Sequence, residues 1–269
     1  MTLRLAYSEH RPPSDLAPWV ACFWQIRGSV REDAAHPHRV LPDGCADLLF
    51  DLESARRAGG MPAELIGPMS LASLYDMRGA IDLLGVRLRP GVVNAFTGIP
   101  ADRVLDRAAP LGELPLALRP SVAALSEEVD SAVARLIAAC RKRVADLDSP
   151  DPLIGHALGR WSRAERGMPP VSVLARDIGL SERAFERRFA AHVGLTPVRY
   201  RRLARLRAVL RLHAVGMRDW AALAAATGFS DQPHLVRDCR AFTGLTPSQW
   251  AASQAAGVGF LQDGTLTAL

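Results

Sequence analysis

Cysteine is scarce in this sequence and lysine is nearly missing. The four cysteines, Cys22, Cys45, Cys140 and Cys239, form no CxxC pair and no His/Cys spacing of a zinc site, which argues against a disulfide framework and a structural metal. They are expected to be small buried hydrophobes. Lys142 is the single lysine, and this bias toward arginine reads as genome composition rather than function. No segment approaches the ~18 consecutive apolar residues that a membrane span needs, and the stretch from Met1 to Glu9 contains no apolar run of signal-peptide length. The protein is therefore expected in the cytoplasm, with no membrane partner.

What is present is an ordinary globular composition, with 49% hydrophobic and 23% charged residues over 269 positions, enough chain for two domains. The net charge of +5 is unevenly placed: residues 1–120 carry −1, residues 121–170 are neutral and residues 171–269 carry +6. A positive end beside a neutral remainder is the footprint of a protein that meets polyanions with one end only.

The N-terminal part reads as mostly β. Short apolar or alternating runs at Ala21–Ile26, Asp47–Leu52, Glu64–Ile66 and Ile81–Leu88 are separated by turn signals at Pro12-Pro13, Pro42-Asp43-Gly44, Gly59-Gly60 and Gly67-Pro68. Such strands suggest a small barrel or jelly roll, with the sheet ending near Leu88. A long helix then opens at Arg119-Pro120-Ser121, and Val122, Leu125, Val129, Val133, Leu136, Cys140 and Val144 form one narrow apolar seam. Either this seam pairs with its copy in a second chain, or it covers the barrel of its own chain. Asp148-Ser-Pro-Asp-Pro152 stops the helix, a short helix follows from Leu153 to Trp161, and Arg166-Gly-Met-Pro-Pro170 is the expected hinge.

From Val171 to Trp250 one small helical unit is written twice. Ser181, Phe185, Phe189 and Gly194-Leu-Thr-Pro197 recur fifty residues on as Asp231, Leu235, Cys239 and Gly244-Leu-Thr-Pro247, and each copy follows a short apolar helix that ends at a glycine, Gly179 or Gly228. That is helix, tight turn, helix, repeated. In the first copy Phe185, Phe189 and Val193 form the buried face, so Arg183 and Arg187 point away from it with Glu186 beside them. Two such arginines fit guanine O6 and N7 in a major groove; taken alone, they fit a solvated charged face equally well. In the second copy Leu235, Cys239 and Phe242 are the buried face, leaving Gln232, Pro233, Val236, Arg237 and Arg240 outward or flanking. Pro233 falls in the first turn, where its missing N–H costs the helix nothing. Between the copies a helix from Pro197 to about His213 makes a rod of ~24 Å. It has Tyr200, Leu203, Leu206 and Leu210 on its apolar side, and Arg199, Arg201, Arg202, Arg205, Arg207 and Arg211 are expected to be available to phosphates. Readers on such a rod can meet successive grooves ~34 Å apart.

These motifs resemble the DNA-binding domain of the AraC/XylS family of bacterial transcription regulators. The likeness rests on Leu174-Ala-Arg-Asp-Ile-Gly-Leu-Ser181, Phe189-Ala-Ala-His-Val-Gly-Leu-Thr-Pro197, Ala224-Ala-Ala-Thr-Gly-Phe-Ser230, Asp231-Gln-Pro-His-Leu235 and Phe242-Thr-Gly-Leu-Thr-Pro-Ser-Gln-Trp250. It implies two helix-turn-helix units joined by one long helix. The implied base-reading residues are Arg183, Glu186 and Arg187, then Gln232, Pro233, Val236 and Arg237; Arg199, Arg201, Arg202, Arg205 and Arg240 are the phosphate candidates. Two positions depart from the family pattern: Cys239 stands for an aromatic and Pro233 for a more polar residue. Arg39-Val-Leu-Pro-Asp-Gly-Cys-Ala-Asp-Leu-Leu-Phe50 and Gly85-Val-Arg-Leu-Arg-Pro-Gly91 resemble motifs of an N-terminal domain of some family members, which implies a barrel-like, cupin-like sensor.

An enzyme reading finds little. His36 and His38 near Cys45 suggest a metal less than they suggest a solvated His-Pro-His loop, and Asp43 with Asp47 reads as a turn leading into a strand. The Pro-Cys-His-Arg nucleophile motif of alkyl-transferring relatives is missing. Trp19, Phe23 and Trp24 fit core packing, or the wall of an apolar pocket.

The expectation is thus an α+β multidomain chain without cofactor, metal or catalytic residues. It comprises a β-rich regulatory domain over 1–120, a helical linker with a dimerisation helix over 121–168, a double helix-turn-helix domain over 169–255 and a tail over 256–269. Its partners would be double-stranded promoter DNA, a small effector, RNA polymerase if it activates, and a second copy of itself, at the bacterial nucleoid. The alternative is a ligand-binding or catalytic barrel whose helical repeat docks on a protein.

Overall fold

The computed structural model describes residues 4–30, 36–58, 62–113, 129–163 and 168–255. Among the described residues eight strands lie in the N-terminal part: β1 (Arg4–His10), β2 (Val20–Val30), β3 (His36–Val40), β4 (Ala46–Asp51), β5 (Ala63–Ile66), β6 (Ser73–Met77), β7 (Gly79–Leu88) and β8 (Ala108–Pro110). Six form one antiparallel sheet in the order β1-β2-β7-β4-β5-β8, and β3 pairs with β6 in a separate two-stranded ribbon. Side chains alternate across a strand, and this sheet buries both faces. On β4, Ala46, Leu48 and Phe50 enter the main core, while Asp47 and Leu49 face the other way. On β2, Phe23 enters that core and Trp24 the opposite layer. Trp24 lies flat on β7, where Gly85 is its register partner and any Cβ at Gly85 would collide with the indole.

The β-rich reading of this part holds, with additions. The sheet does not end at Leu88, because β8 adds a further edge strand to β5. The His-Pro-His stretch is not a solvated loop: it is β3, and His38 is buried. Proline is tolerated there because a two-stranded ribbon is all edge.

Helices α1 (Leu52–Ala58) and α2 (Val93–Thr97) are short. Helix α3 (Val129–Val144) carries the described part of the apolar seam, whose first residues, Val122 and Leu125, lie outside the described residues. The described part of the seam packs against its own chain. Val133, Leu136 and Cys140 are buried with Leu16, Trp19 and Phe96, Arg141 pairs with Asp15, and Arg143 donates to the carbonyl of Phe96 at 2.7 Å. Burial pushes the Cys140 thiol up to about 12, as suits a cysteine used for packing; Cys22, Cys45 and Cys239 are buried as well.

The C-terminal helices are α4 (Pro152–Ser162), α5 (Val171–Asp177), α6 (Glu182–Val193), α7 (Pro197–Ala214), α8 (Trp220–Ala226), α9 (Gln232–Thr243) and α10 (Pro247–Ala255). Helix α4 falls in the stretch expected as linker, yet Ile154, Ala157 and Trp161 belong to the core built around α6 and α7. Trp161 stacks on Tyr200 and meets Phe189 edge-on, with ring centroids 5.9 and 5.6 Å away. Among the described residues no helix is long and apolar enough to cross a membrane.

Candidate nucleic-acid interface

Each helix-turn-helix is built from local signals. Ser181 caps α6 by accepting from the Ala184 N–H, and Asp231 caps α9 by accepting from the His234 N–H, satisfying donors that would otherwise be orphaned. Both helices end on a left-handed glycine, Gly194 (φ 87°) and Gly244 (φ 74°), where a side chain would be strained. Gly179 and Gly228 close the inner turns with φ of 71° and 79°. These two glycines are 49 residues apart whereas the second helices repeat at fifty, because the second turn holds one residue more, Ser230.

With both helices fixed, their faces follow. Phe185, Phe189 and Val193 of α6 are fully buried, and Arg183, Glu186 and Arg187 are exposed. Leu235, Cys239 and Phe242 of α9 are buried; Gln232, Pro233, Arg237 and Arg240 are exposed and Val236 is half-buried. All seven base-reading candidates thus lie on the second helices of their units, away from the packed faces. The exposed ones cluster in the N-terminal halves, the part of a recognition helix that reaches base edges in a major groove.

The rod is different. Helix α7 is buried on several sides by Tyr200, Leu203, Leu206, Val209 and Leu210, and five of its arginines engage groups of the protein. Arg199 donates to the Ser70 carbonyl at 3.0 Å, and Arg201 donates to the Met168 carbonyl at 2.7 Å. Arg202 pairs with Asp238 at 2.7 Å; Arg205, only 8% exposed, donates to the Gly228 carbonyl and lies over the Phe229 ring. Arg207 reaches the Asp43 carbonyl. Arg199, Arg201, Arg202 and Arg205, expected to face phosphates, thus each donate to a group of the protein itself, their stems running along apolar surface. Arg240, the fifth of the expected phosphate group, is exposed and lies on α9.

Two acidic residues that the sequence reading passed over do the positioning. Asp238, 1% exposed, holds α9 to α7 through Arg202; its place between Leu235 and Phe242 on the buried side was the available signal. Asp151 caps α4 through the Leu153 and Ile154 N–H groups and reaches Arg188 of α6 at 2.6 Å and His192 at 3.3 Å. Burial alone would raise this carboxyl, but the Arg188 hydrogen bond, the cap and His192 outweigh it and hold it below the usual carboxylate range.

The N-terminal domain grips this assembly at the C-terminal ends of both α6 and α9. Gly194 abuts Pro68 and the Ala101 carbonyl, so a Cβ there would come within 3.2 Å of each. Arg39 of β3 donates to the Thr243 carbonyl at 2.7 Å, and the Ala72 N–H donates to the Phe242 carbonyl at 2.8 Å. Gly44 lies against the Tyr200 ring, where a Cβ would come within 2.5 Å. Asp43 and Asp47, read as a turn and a strand start, are that and more: Asp43 accepts from the Cys45 N–H, and both carboxylates face the buried Arg87, at 3.8 and 3.2 Å. Trp24 lines an apolar cavity, whereas Trp19 and Phe23 are core. Among the described residues no group of three or more histidine, cysteine or acidic side chains is arranged to hold a metal.

Residues 174–253 match a family described as a helix-turn-helix domain, and residues 8–110 match one described as a domain of unknown function (DUF6597). No curated protein matches the chain. Among solved structures, a Chromobacterium violaceum transcriptional regulator described by its AraC-type DNA-binding domain is 24% identical, covering 39% of this chain and 95% of its own, with a TM-score of 0.37. ToxT from Vibrio cholerae is 11% identical over 92% of this chain and 97% of its own, with a TM-score of 0.40. The family match at 174–253 and the paired units described above place an AraC-type helix-turn-helix DNA-binding domain in this part of the chain, beside a separate N-terminal domain.

Proposed function

We propose that this regulator binds double-stranded promoter DNA sequence-specifically with two readers. Arg183, Glu186 and Arg187 of α6 address bases in one major groove, and Gln232, Pro233, Val236 and Arg237 of α9 address bases in the next. Arg240 and the helix N-termini meet phosphates. The observation that carries this reading is the exposure of Arg183, Arg187 and Arg237 on helices whose opposite faces are fully buried. A solvated charged face would not need two capped helices at fixed spacing on one rod.

The N-terminal domain, in this reading, adjusts DNA binding in response to a small effector or a partner, because it holds the C-terminal ends of both readers. The protein acts at the nucleoid of the bacterial cytoplasm, and contacts RNA polymerase where it activates. The test is a titration of Arg187→Ala on a duplex selected from random DNA and on random DNA itself. A loss of about 1–3 kcal/mol confined to the selected site, with one base position relaxed, is expected. An equal loss on both duplexes would refute base reading by this residue.

A further inference from the structure

The sheet face turned away from α3 is covered by the β3–β6 ribbon and by the strap 67–72, and a cavity of about 110 Å³ lies between them. Trp24, Leu49 and Leu83 wall it from the sheet, Val40 and Met77 from the ribbon, and Met69 from the strap. Tyr7, His38 and Tyr75 also line it, and at one corner Asp47 accepts from Trp24 Nε1 at 2.6 Å and from Arg87 at 3.2 Å. That corner is already paired, so a charged guest would lose its water without gaining a counter-charge. Aromatic and thioether walls favour a flat, polarisable guest. The space is smaller than the ~150 Å³ apolar cavity that takes benzene, so a one-ring guest fits only if a wall yields. The yielding wall is the ribbon, which among the described residues is a sheet of two strands, whereas the opposite wall is a six-stranded sheet packed on α3.

The outer sides of the ribbon and strap are the surfaces that hold the DNA-binding domain. Strand alternation puts His38 and Val40 on the cavity side of β3 and Arg39 on the other, where it holds Thr243. In the strap, Met69 faces the cavity, while Pro68 abuts Gly194, Ser70 accepts from Arg199 and Ala72 donates to Phe242. The strap is also anchored at its root: Gly67 donates to the Arg107 carbonyl, Asp106 donates to the Pro68 carbonyl, and Ser70 donates to the Asp106 carboxylate. Movement of Met69 or Val40 therefore reaches the C-terminal ends of both reading helices through a few atoms.

We infer that this cavity is an effector site for a small, uncharged, one-ring aromatic molecule, and that the ribbon and strap relay its occupancy to both reading helices. The inference rests on the effector-modulated reading above and names its ligand class and its route.

Val40→Phe and Leu49→Phe place a ring in the cavity from opposite walls and mimic the occupied state. p-Cresol and phenol serve as probes on the native full-length chain, with the operator selected from random duplexes. Each filled variant and each probe is expected to shift operator affinity in the same direction by at least fivefold. Arg39→Ala, which cuts one link but leaves the cavity intact, keeps probe binding by calorimetry and reduces the shift to less than half. Operator affinity unchanged within twofold by filling or by saturating probe overturns the inference, as does an undiminished shift in Arg39→Ala. If neither filled variant folds, the native chain decides: failure to bind either probe at millimolar concentration, with no xenon in the cavity of pressurised crystals, also overturns it. A chain that selects no operator at all instead overturns the regulator reading, and shows this before any probe is added.

Discussion

The two helix-turn-helix units share their caps and turns but not the forces that hold them. The first is held by aromatic packing: Phe189 of α6 sits among Phe185, Trp161 and Tyr200, with ring centroids 5.5–5.6 Å away. The second has Cys239 at the equivalent place, fifty residues on, and is held instead by the buried Asp238 beneath Arg202. Their ties differ in the same way. The first unit is fastened from α4 by Asp151, at the partly exposed Arg188, and the second from the rod itself. The lesson is that a repeated fold unit fixes where the reading helix points, while each copy solves its own packing.

Truncation at the equivalent positions should break the symmetry most. Phe189→Ala is expected to cost about 3–5 kcal/mol in denaturant unfolding, and Cys239→Ala about 1 kcal/mol; similar losses would show that the two cores are equivalent after all. Next comes the ion pair. Losing a buried partner costs roughly 3–5 kcal/mol, but Arg202 is 42% exposed, so Asp238→Ala should cost about 2–3 kcal/mol. Arg188→Ala should cost about 1 kcal/mol or less, as exposed pairs do, measured the same way.

A smaller effect separates the units by acid. The folded-state Asp151 carboxyl is held below its unfolded value, near 3.9 for a free aspartate, so its stabilisation is fully present above that value and lost as pH falls through the folded one. Urea midpoints should therefore fall with acid less steeply in Asp151→Asn than in the native chain; parallel curves would remove Asp151 from the account. The smallest difference concerns phosphates. Arg240→Ala should lower the salt slope of DNA binding by about 1, and Arg199→Ala should leave it unchanged, since that side chain serves Ser70. A reduced slope in Arg199→Ala would restore the rod arginines to the DNA.

How much of this was legible depended on how local each signal is. Ser181, Asp231, Gly194, Gly244 and Pro197 act within one turn of themselves, so both reading helices and the rod are found within a residue or two of their expected bounds. The exposed arginines of α6 and α9 follow from helical geometry once Phe185 and Leu235 are taken as buried. The rod arginines did not follow, because a helix face shows its own periodicity and not what packs against it. Arg199 and Arg207 are engaged by carbonyls of Ser70 and Asp43, more than a hundred residues away. Pro37 hid β3 for a related reason: proline argues against a strand unless the strand is an edge, and only the pairing with β6 makes it one. Val133, Leu136 and Cys140 were readable as a seam, but not whose core they would fill.

The account depends most on two readers meeting one duplex together. Base-preference maps of Arg187→Ala and Arg237→Ala on the same selected operator test it directly. The expected result is that each variant relaxes a different short block of bases and that the blocks lie about one helical turn, roughly 10 base pairs, apart. Relaxation of the same block by both, or of neither, would contradict it.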